Sequence, residues 1–134
     1  MFRQILALVL LTSTGVVGIG HAQQPSAAPA PIKRTILQRV DVPGVNSEAV
    51  TGIAEIMPGV NIGRHTHPGP ETGYVMDGEF VLLVEGKAPQ PLKAGDSYQV
   101  PPGAIHDAKS GDKGAKILAV YVVEKGKPLA SPAP

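Results

Sequence analysis

Three histidines and one glutamate in this 134-residue chain have the types and spacing that could hold a metal ion. His65 and His67 stand two apart, so on a strand both side chains leave the same face, within reach of one ion. Glu71 follows across Pro68-Gly69-Pro70, a loop able to fold back and set a carboxylate beside them. His106 comes from far along the chain, just after Pro101-Pro102-Gly103. Three imidazoles and a carboxylate, in a chain without cysteine, suit one borderline divalent transition metal: Mn, Fe, Ni, Cu or Zn. Such an ion keeps positions open for water, dioxygen or substrate and can act as a Lewis acid. Glu71 has a second role open to it, since a loosely held carboxylate can serve as general base. An isolated histidine is more often a surface or core residue than a ligand. A structural role, however, needs no fixed offset to a glutamate and to a distant third histidine.

The elements that must position these residues read as strands. Short apolar runs cover 35–42, 49–57, 61–67, 72–76, 79–84, 97–100 and 116–123, divided by Gly, Pro, Asn and Asp, with no sustained helical period. Asp77-Gly78, between Val75-Met76 and Phe80-Val81, is the dipeptide signal of a tight hairpin. Pro58-Gly59 and Pro101-Pro102-Gly103 mark two more reversals. The chain is therefore expected to be all-β, a sandwich or barrel. Phe80 to Val84 and Ile117 to Val123 are apolar on both faces, which calls for a second covering layer or for a homodimer. Strand parity puts Gly73 and Val75 on the inward face with Glu71, Val75 as a pocket wall, and turns Arg64 outward. Tyr74, Tyr98 and Met57 are further candidates for the pocket or the core. Asp107, next to His106, could orient a ligand histidine.

The ends of the chain differ from its middle. Arg3, the apolar run from Ile5 to Ile19 and the small residues flanking His21 give residues 1–22 the layout of a secretory signal peptide. That run is short and lightly flanked for a transmembrane helix. Residues 23–31 read as a flexible spacer, 32–124 as the barrel and 125–134, again rich in Pro and Ala, as a disordered tail. The expected location is secreted or periplasmic, with no membrane association after cleavage. Without Arg3, 11 Lys and Arg balance 11 Asp and Glu, and no basic run offers a footprint for nucleic acid. The absence of cysteine excludes a disulfide scaffold, leaving the core or a metal to hold the fold.

Two motifs make the middle segment resemble the cupin superfamily, as a small exported single-domain member. The first, G-x5-H-x-H-x3,4-E-x6-G, is filled by Gly59, His65, His67, Glu71 and Gly78. The second, G-x5-P-x-G-x2-H-x3-N, is filled by Gly95, Pro101, Gly103 and His106, with Ser110 where the family often has Asn. The resemblance implies a double-stranded β-helix, the jelly-roll barrel. It also implies a metal held inside by His65, His67, Glu71 and His106.

Cupins with this ligand set include dioxygenases, oxalate-degrading enzymes and isomerases. The first expectation is a small metal-dependent, dioxygenase-like oxidoreductase acting on a small oxygen-rich or aromatic molecule, with Glu71 as its catalytic residue. The alternatives are a metal-dependent isomerase or lyase, and a non-catalytic module that binds or senses a metal or small ligand.

Overall fold

The structure, a computed structural model, describes residues 30–134. The expected leader and all but the last two residues of the expected spacer lie outside the described residues. Eight strands follow in chain order: β1 Ile32–Val42, β2 Ser47–Ile56, β3 His65–Thr66, β4 Glu71–Val84, β5 Gln90–Lys93, β6 Ser97–Val100, β7 His106–Glu124 and β8 Ser131–Pro132. Every pairing is antiparallel, and no helix occurs among the described residues. The long strands curl into a double-stranded β-helix, as the motifs implied.

β7 organises this sheet, pairing with β2, β3 and β4. Its first part, His106 to Ser110, lies against Phe80 to Val84 of β4. Its second part, from Ala115 onward, lies against Glu71 to Gly78 of β4 on one edge and against β2 on the other. Both strands bend together where the register shifts between Val75 and Asp77 and again between Gly78 and Phe80. Gly78 (φ 72°) and Gly114 (φ 75°) meet at that corner, and a Cβ on Gly78 would fall 2.1 Å from the Gly114 carbonyl oxygen. Only glycine fits there.

The expected hairpin at Asp77-Gly78 is thus corrected to a bulged corner inside one continuous strand. The dipeptide's signal is tolerance of positive φ, which a bulge needs as much as a two-residue turn does. The expected strand over 61–67 shrinks to His65–Thr66, with a single bridge from Asn61 to Lys109. The Pro101-Pro102-Gly103 turn forms as expected, closed by the Ala104 N–H donating to the Pro101 carbonyl, with Gly103 at φ 70°.

Inward positions on β4 and β7 build the core: Val75, Phe80, Leu82, Ala115, Ile117 and Ala119 are all buried, joined by Leu92 and Val100. Each large side chain so buried stabilises by about 1.5–3 kcal/mol. Val75 belongs to this core and does not line the cavity described below, contrary to the reading of it as a pocket wall. The runs that looked apolar on both faces alternate in fact. Leu83 and Val122 are exposed on the outer face, together with Tyr74 and Met76 of β4.

Ser110, where the second motif departs from the family pattern, is buried and still serves the site's scaffold. Its hydroxyl donates to the Met57 carbonyl and accepts from the Val60 N–H, holding the turn that leads toward β3.

The loop that delivers Glu71 is equally constrained. A Cβ on Gly69 would fall 1.7 Å from the Val122 carbonyl oxygen, because this loop passes directly over the β7 backbone. The Val122 N–H donates to the Pro70 carbonyl beside it. Gly69→Ala should therefore cost about 1–3 kcal/mol or more of stability, as an overpacked site does. Chemical denaturation checks this, and the loss should exceed that of an exposed substitution such as Lys33→Ala.

Candidate metal centre

His65 sits on β3 and pairs with His106, the first residue of β7. His67 lies one residue past β3, and Glu71 opens β4. Their rings converge, with centroids 4.9 Å apart for His65 and His67, 4.1 Å for His65 and His106, and 5.0 Å for His67 and His106. The three histidines each offer a nitrogen, and those atoms all lie within 4.8 Å of one another. This triad could hold a metal ion.

The backbone decides which nitrogen faces inward. Nδ1 of His65 lies 2.7 Å from the Gly63 carbonyl, that of His67 2.6 Å from the Leu129 carbonyl, and that of His106 3.0 Å from the Ala104 carbonyl. A carbonyl only accepts, so each Nδ1 carries a proton, and a ring with no second proton turns its Nε2 lone pair to the common centre. Glu71 Oε2 lies there too, 3.0 Å from His67 Nε2 and 3.3 Å from His106 Nε2. A lone pair facing a carboxylate oxygen is repulsive unless a positive charge lies between them, either an extra proton on the ring or a cation. His67 Nε2 has no hydrogen-bond partner although His67 and Glu71 are each only 5% exposed. A buried, unpartnered acceptor of this kind fits a metal cation.

Without a metal, protons on the rings would supply that positive charge, and the shifts of Glu71 and His106 have this sense. Burial alone would raise the Glu71 pKa, but His106, His67 and the Tyr98 hydroxyl outweigh it and hold the group down at about 2. It is ionised at neutral pH. Burial pushes His65 below the usual imidazole range, which favours the neutral form that ligation requires. In His106 burial acts in the same direction, but the Glu71 carboxylate reverses it and the net shift is upward.

Further residues hold the four in place. Tyr98 donates to Glu71 Oε1 at 2.7 Å, leaving Oε2 to face the histidines. The Tyr98 ring occupies the space beside Gly73, where a Cβ would come within 2.3 Å of it, and packs edge-on to Phe80. Asp107 makes no side-chain hydrogen bond to His65, His67 or His106, so the expected direct role is corrected. Its Oδ1 accepts from the Gly63 N–H, and so fixes the carbonyl that orients His65.

These groups surround a cavity of about 550 Å³. Its wall is apolar where Phe80, Leu82, Ala108, Ile117 and Ala119 contribute, and polar at the histidines, Glu71, Tyr98 and Tyr121. Tyr121 is the Cα partner of Glu71 across the sheet, and its ring lies 4.7 Å from that of His67. Burial and then the Glu71 charge raise the pKa of both phenols, so both keep their protons.

Arg34 and Arg64, both exposed, line the rim. Arg64 points outward as expected, paired with Glu85. Arg34 makes no ion pair among the described residues. Tyr74 and Met57 are exposed and do not line this cavity.

Tyr121, Arg34 and Leu129 are the residues that sequence reasoning missed. Inward parity from Ile117 and Ala119 could have found Tyr121. Arg34 depends on the register of β1. Leu129 belongs to the segment expected to be a disordered tail, and that expectation is corrected: residues 129–132 line the cavity, and β8 pairs with β3. Backbone hydrogen bonds hold this segment, and composition does not report those.

The comparisons with known proteins agree with this architecture. The cupin domain family model matches residues 52–121. Dimethylsulfoniopropionate lyase DddW of Ruegeria pomeroyi is 30% identical over 69 residues, which are 52% of this chain and 45% of that protein. The crystal structure of DMSP lyase DddQ from Ruegeria pomeroyi DSS-3 superposes with a TM-score of 0.66 at 21% identity, over 77% of this chain and 52% of that one. An uncharacterised Klebsiella pneumoniae protein with a double-stranded β-helix domain gives 0.61 at 24% identity, over 83% of this chain and 90% of that one. The chain spans about half the length of the two lyases it matches.

If the four side chains act as one ligand set, His106→Ala should reduce bound metal to a small fraction of the wild-type stoichiometry. Tyr98→Phe, which removes only the buttress on Glu71, should lower metal affinity about 10- to 100-fold. Elemental analysis and calorimetric titration measure the two effects.

Proposed function

The chain belongs to the cupin family, and we propose that it is a metal-dependent lyase that eliminates a leaving group from a small organic carboxylate. The observation that carries this reading is an ionised, buried carboxylate, Glu71, set among three inward-facing imidazoles in an apolar cavity whose rim carries an arginine, Arg34, with no ion pair among the described residues. The likeness to DddW supports the same class. His65, His67, His106 and Glu71 Oε2 would hold the metal. A divalent ion bound there supplies Lewis acidity toward an oxygen of the substrate.

The chain's own residues supply the remaining functions. Arg34 binds the substrate carboxylate at the rim, and the apolar wall of Phe80, Leu82 and Ile117 excludes water from the bond being broken. Glu71 Oε2, when it is not engaged with the metal, accepts the proton from the carbon next to the substrate carboxylate. The electron pair of that C–H bond becomes the new carbon–carbon double bond, and the leaving group departs with its own bonding pair. With dimethylsulfoniopropionate the products are acrylate, dimethyl sulfide and a proton. Tyr98 keeps Glu71 oriented, and Tyr121, protonated, can donate to a developing negative oxygen.

The redox reading of the same donor set rests on ligand types alone and makes no use of Arg34 or the phenols. Export to the periplasm or beyond, and a homodimer that covers the apolar outer face, belong to the proposal as well.

Chain loaded separately with Fe, Mn and Zn and given dimethylsulfoniopropionate and other β-substituted propionates should release an unsaturated acid, seen by chromatography. Glu71→Gln should abolish release. Arg34→Met should raise KM about 10- to 100-fold with a smaller effect on kcat, the loss of one charge-assisted contact. Oxygen uptake without elimination would replace the lyase with the oxidoreductase, and neither activity would favour the binding module.

A further inference from the structure

The segment after β7 is tied to the candidate metal centre at several points. The Lys127 N–H closes a turn onto the Glu124 carbonyl, and residues 129–132 then line the cavity. Leu129 places its carbonyl 2.6 Å from His67 Nδ1. Ser131 and Pro132 pair with Thr66 and His65, so the two-residue β3 is held between β7 on one edge and β8 on the other. The Ala133 N–H donates to the Arg64 carbonyl, and the Arg64 guanidinium donates to the Pro134 carbonyl. Pro132 lacks an N–H and is tolerated because β8 is an edge strand.

Little apolar burial accompanies these contacts, since Leu129 and Ala133 are half-buried and the rest of residues 125–134 are exposed. The strap is therefore held mainly by a few hydrogen bonds, each worth about 0.5–1.5 kcal/mol net. Pro128 and Pro132 narrow the conformations of the undocked segment and so reduce the entropy lost when it docks.

His67 has two ways to satisfy its ring. With the strap in place, Nδ1–H donates to the Leu129 carbonyl and the Nε2 lone pair faces the centre. Without it, the other tautomer places a proton on Nε2, which then donates to Glu71 Oε2 only 3.0 Å away. That second arrangement blocks the nitrogen from a metal and occupies the Glu71 oxygen as well.

We infer that the segment Leu129–Pro132 is a positioning strap that sets His67 in its metal-binding tautomer, so that strap docking and metal binding favour one another. The inference rests on the metal-centre reading above. The coupling is reciprocal: the factor by which the docked strap tightens metal binding is the factor by which metal tightens the strap.

The test uses Zn²⁺ on the intact chain and on a chain ending at Pro128. The intact chain should bind Zn²⁺ about 10- to 100-fold more tightly, the range expected for a group that orients a ligand histidine. Nitrogen NMR of the metal-free proteins should show the proton of His67 on Nδ1 in the intact chain and shifted toward Nε2 in the shortened one. A measurement that needs no variant is trypsin cleavage after Lys125, which Zn²⁺ should slow in the intact chain by a similar factor. Equal Zn²⁺ affinity in the two chains, with unchanged His67 tautomer and cleavage indifferent to Zn²⁺, overturns the strap while leaving the metal centre standing. An intact chain that binds no Zn²⁺, Mn²⁺ or Fe²⁺ overturns both.

Discussion

Three hydrogen bonds from imidazole Nδ1–H groups to backbone carbonyls govern the rest of this site. They come from three separate parts of the chain: Gly63 ahead of β3, Ala104 ahead of β7, and Leu129 beyond β7. Each bond fixes one ring's tautomer, and together they turn three lone pairs to a common centre, two of them beside one ionised carboxylate oxygen. An apolar barrel interior cannot dissipate that concentration of negative potential, because the local dielectric is low and water is largely excluded. The arrangement is stable only with positive charge at its centre. The preference for a cation thus follows from backbone geometry as much as from the choice of histidine.

The barrel supplies that geometry through β7. One strand carries His106 at its start, pairs with β3 to fix His65, and faces Glu71 through Tyr121 further along. The shared bend at Gly78 and Gly114 lets its two halves serve two stretches of β4 without breaking either strand. Side chains from positions 65, 71 and 106 meet because a single bent ladder connects them. The same ladder walls the cavity with Ile117 and Ala119, so ligand placement and pocket shape are one structural decision.

Much of this was legible in the sequence. The histidine spacing, the carboxylate offset and the proline–glycine turn before His106 identified the residues that come together, because period-two parity and turn chemistry are local rules. What stayed hidden depends on partners distant in sequence. Asp77-Gly78 reads as a hairpin until β7 is known to run alongside both of its flanks. Residues 125–134 read as disordered because their composition lacks apolar periodicity, whereas their placement comes from backbone hydrogen bonds to β3 and Arg64. Arg34 reaches the cavity only through the register that sets it opposite Ala54.

Gly73 has a consequence for how this site can diverge. The Tyr98 ring stands where any side chain at position 73 would project, so the phenol that steadies Glu71 occupies volume ceded by a neighbouring strand. Positions 73 and 98 are therefore one steric unit, sharing a single allotment of space beside the carboxylate. A larger residue at 73 displaces the phenol and stands next to Glu71 itself, so a change at 73 exchanges which strand supplies the carboxylate's neighbour. In this barrel the smallest residue on the inward face governs the surroundings of its buried carboxylate.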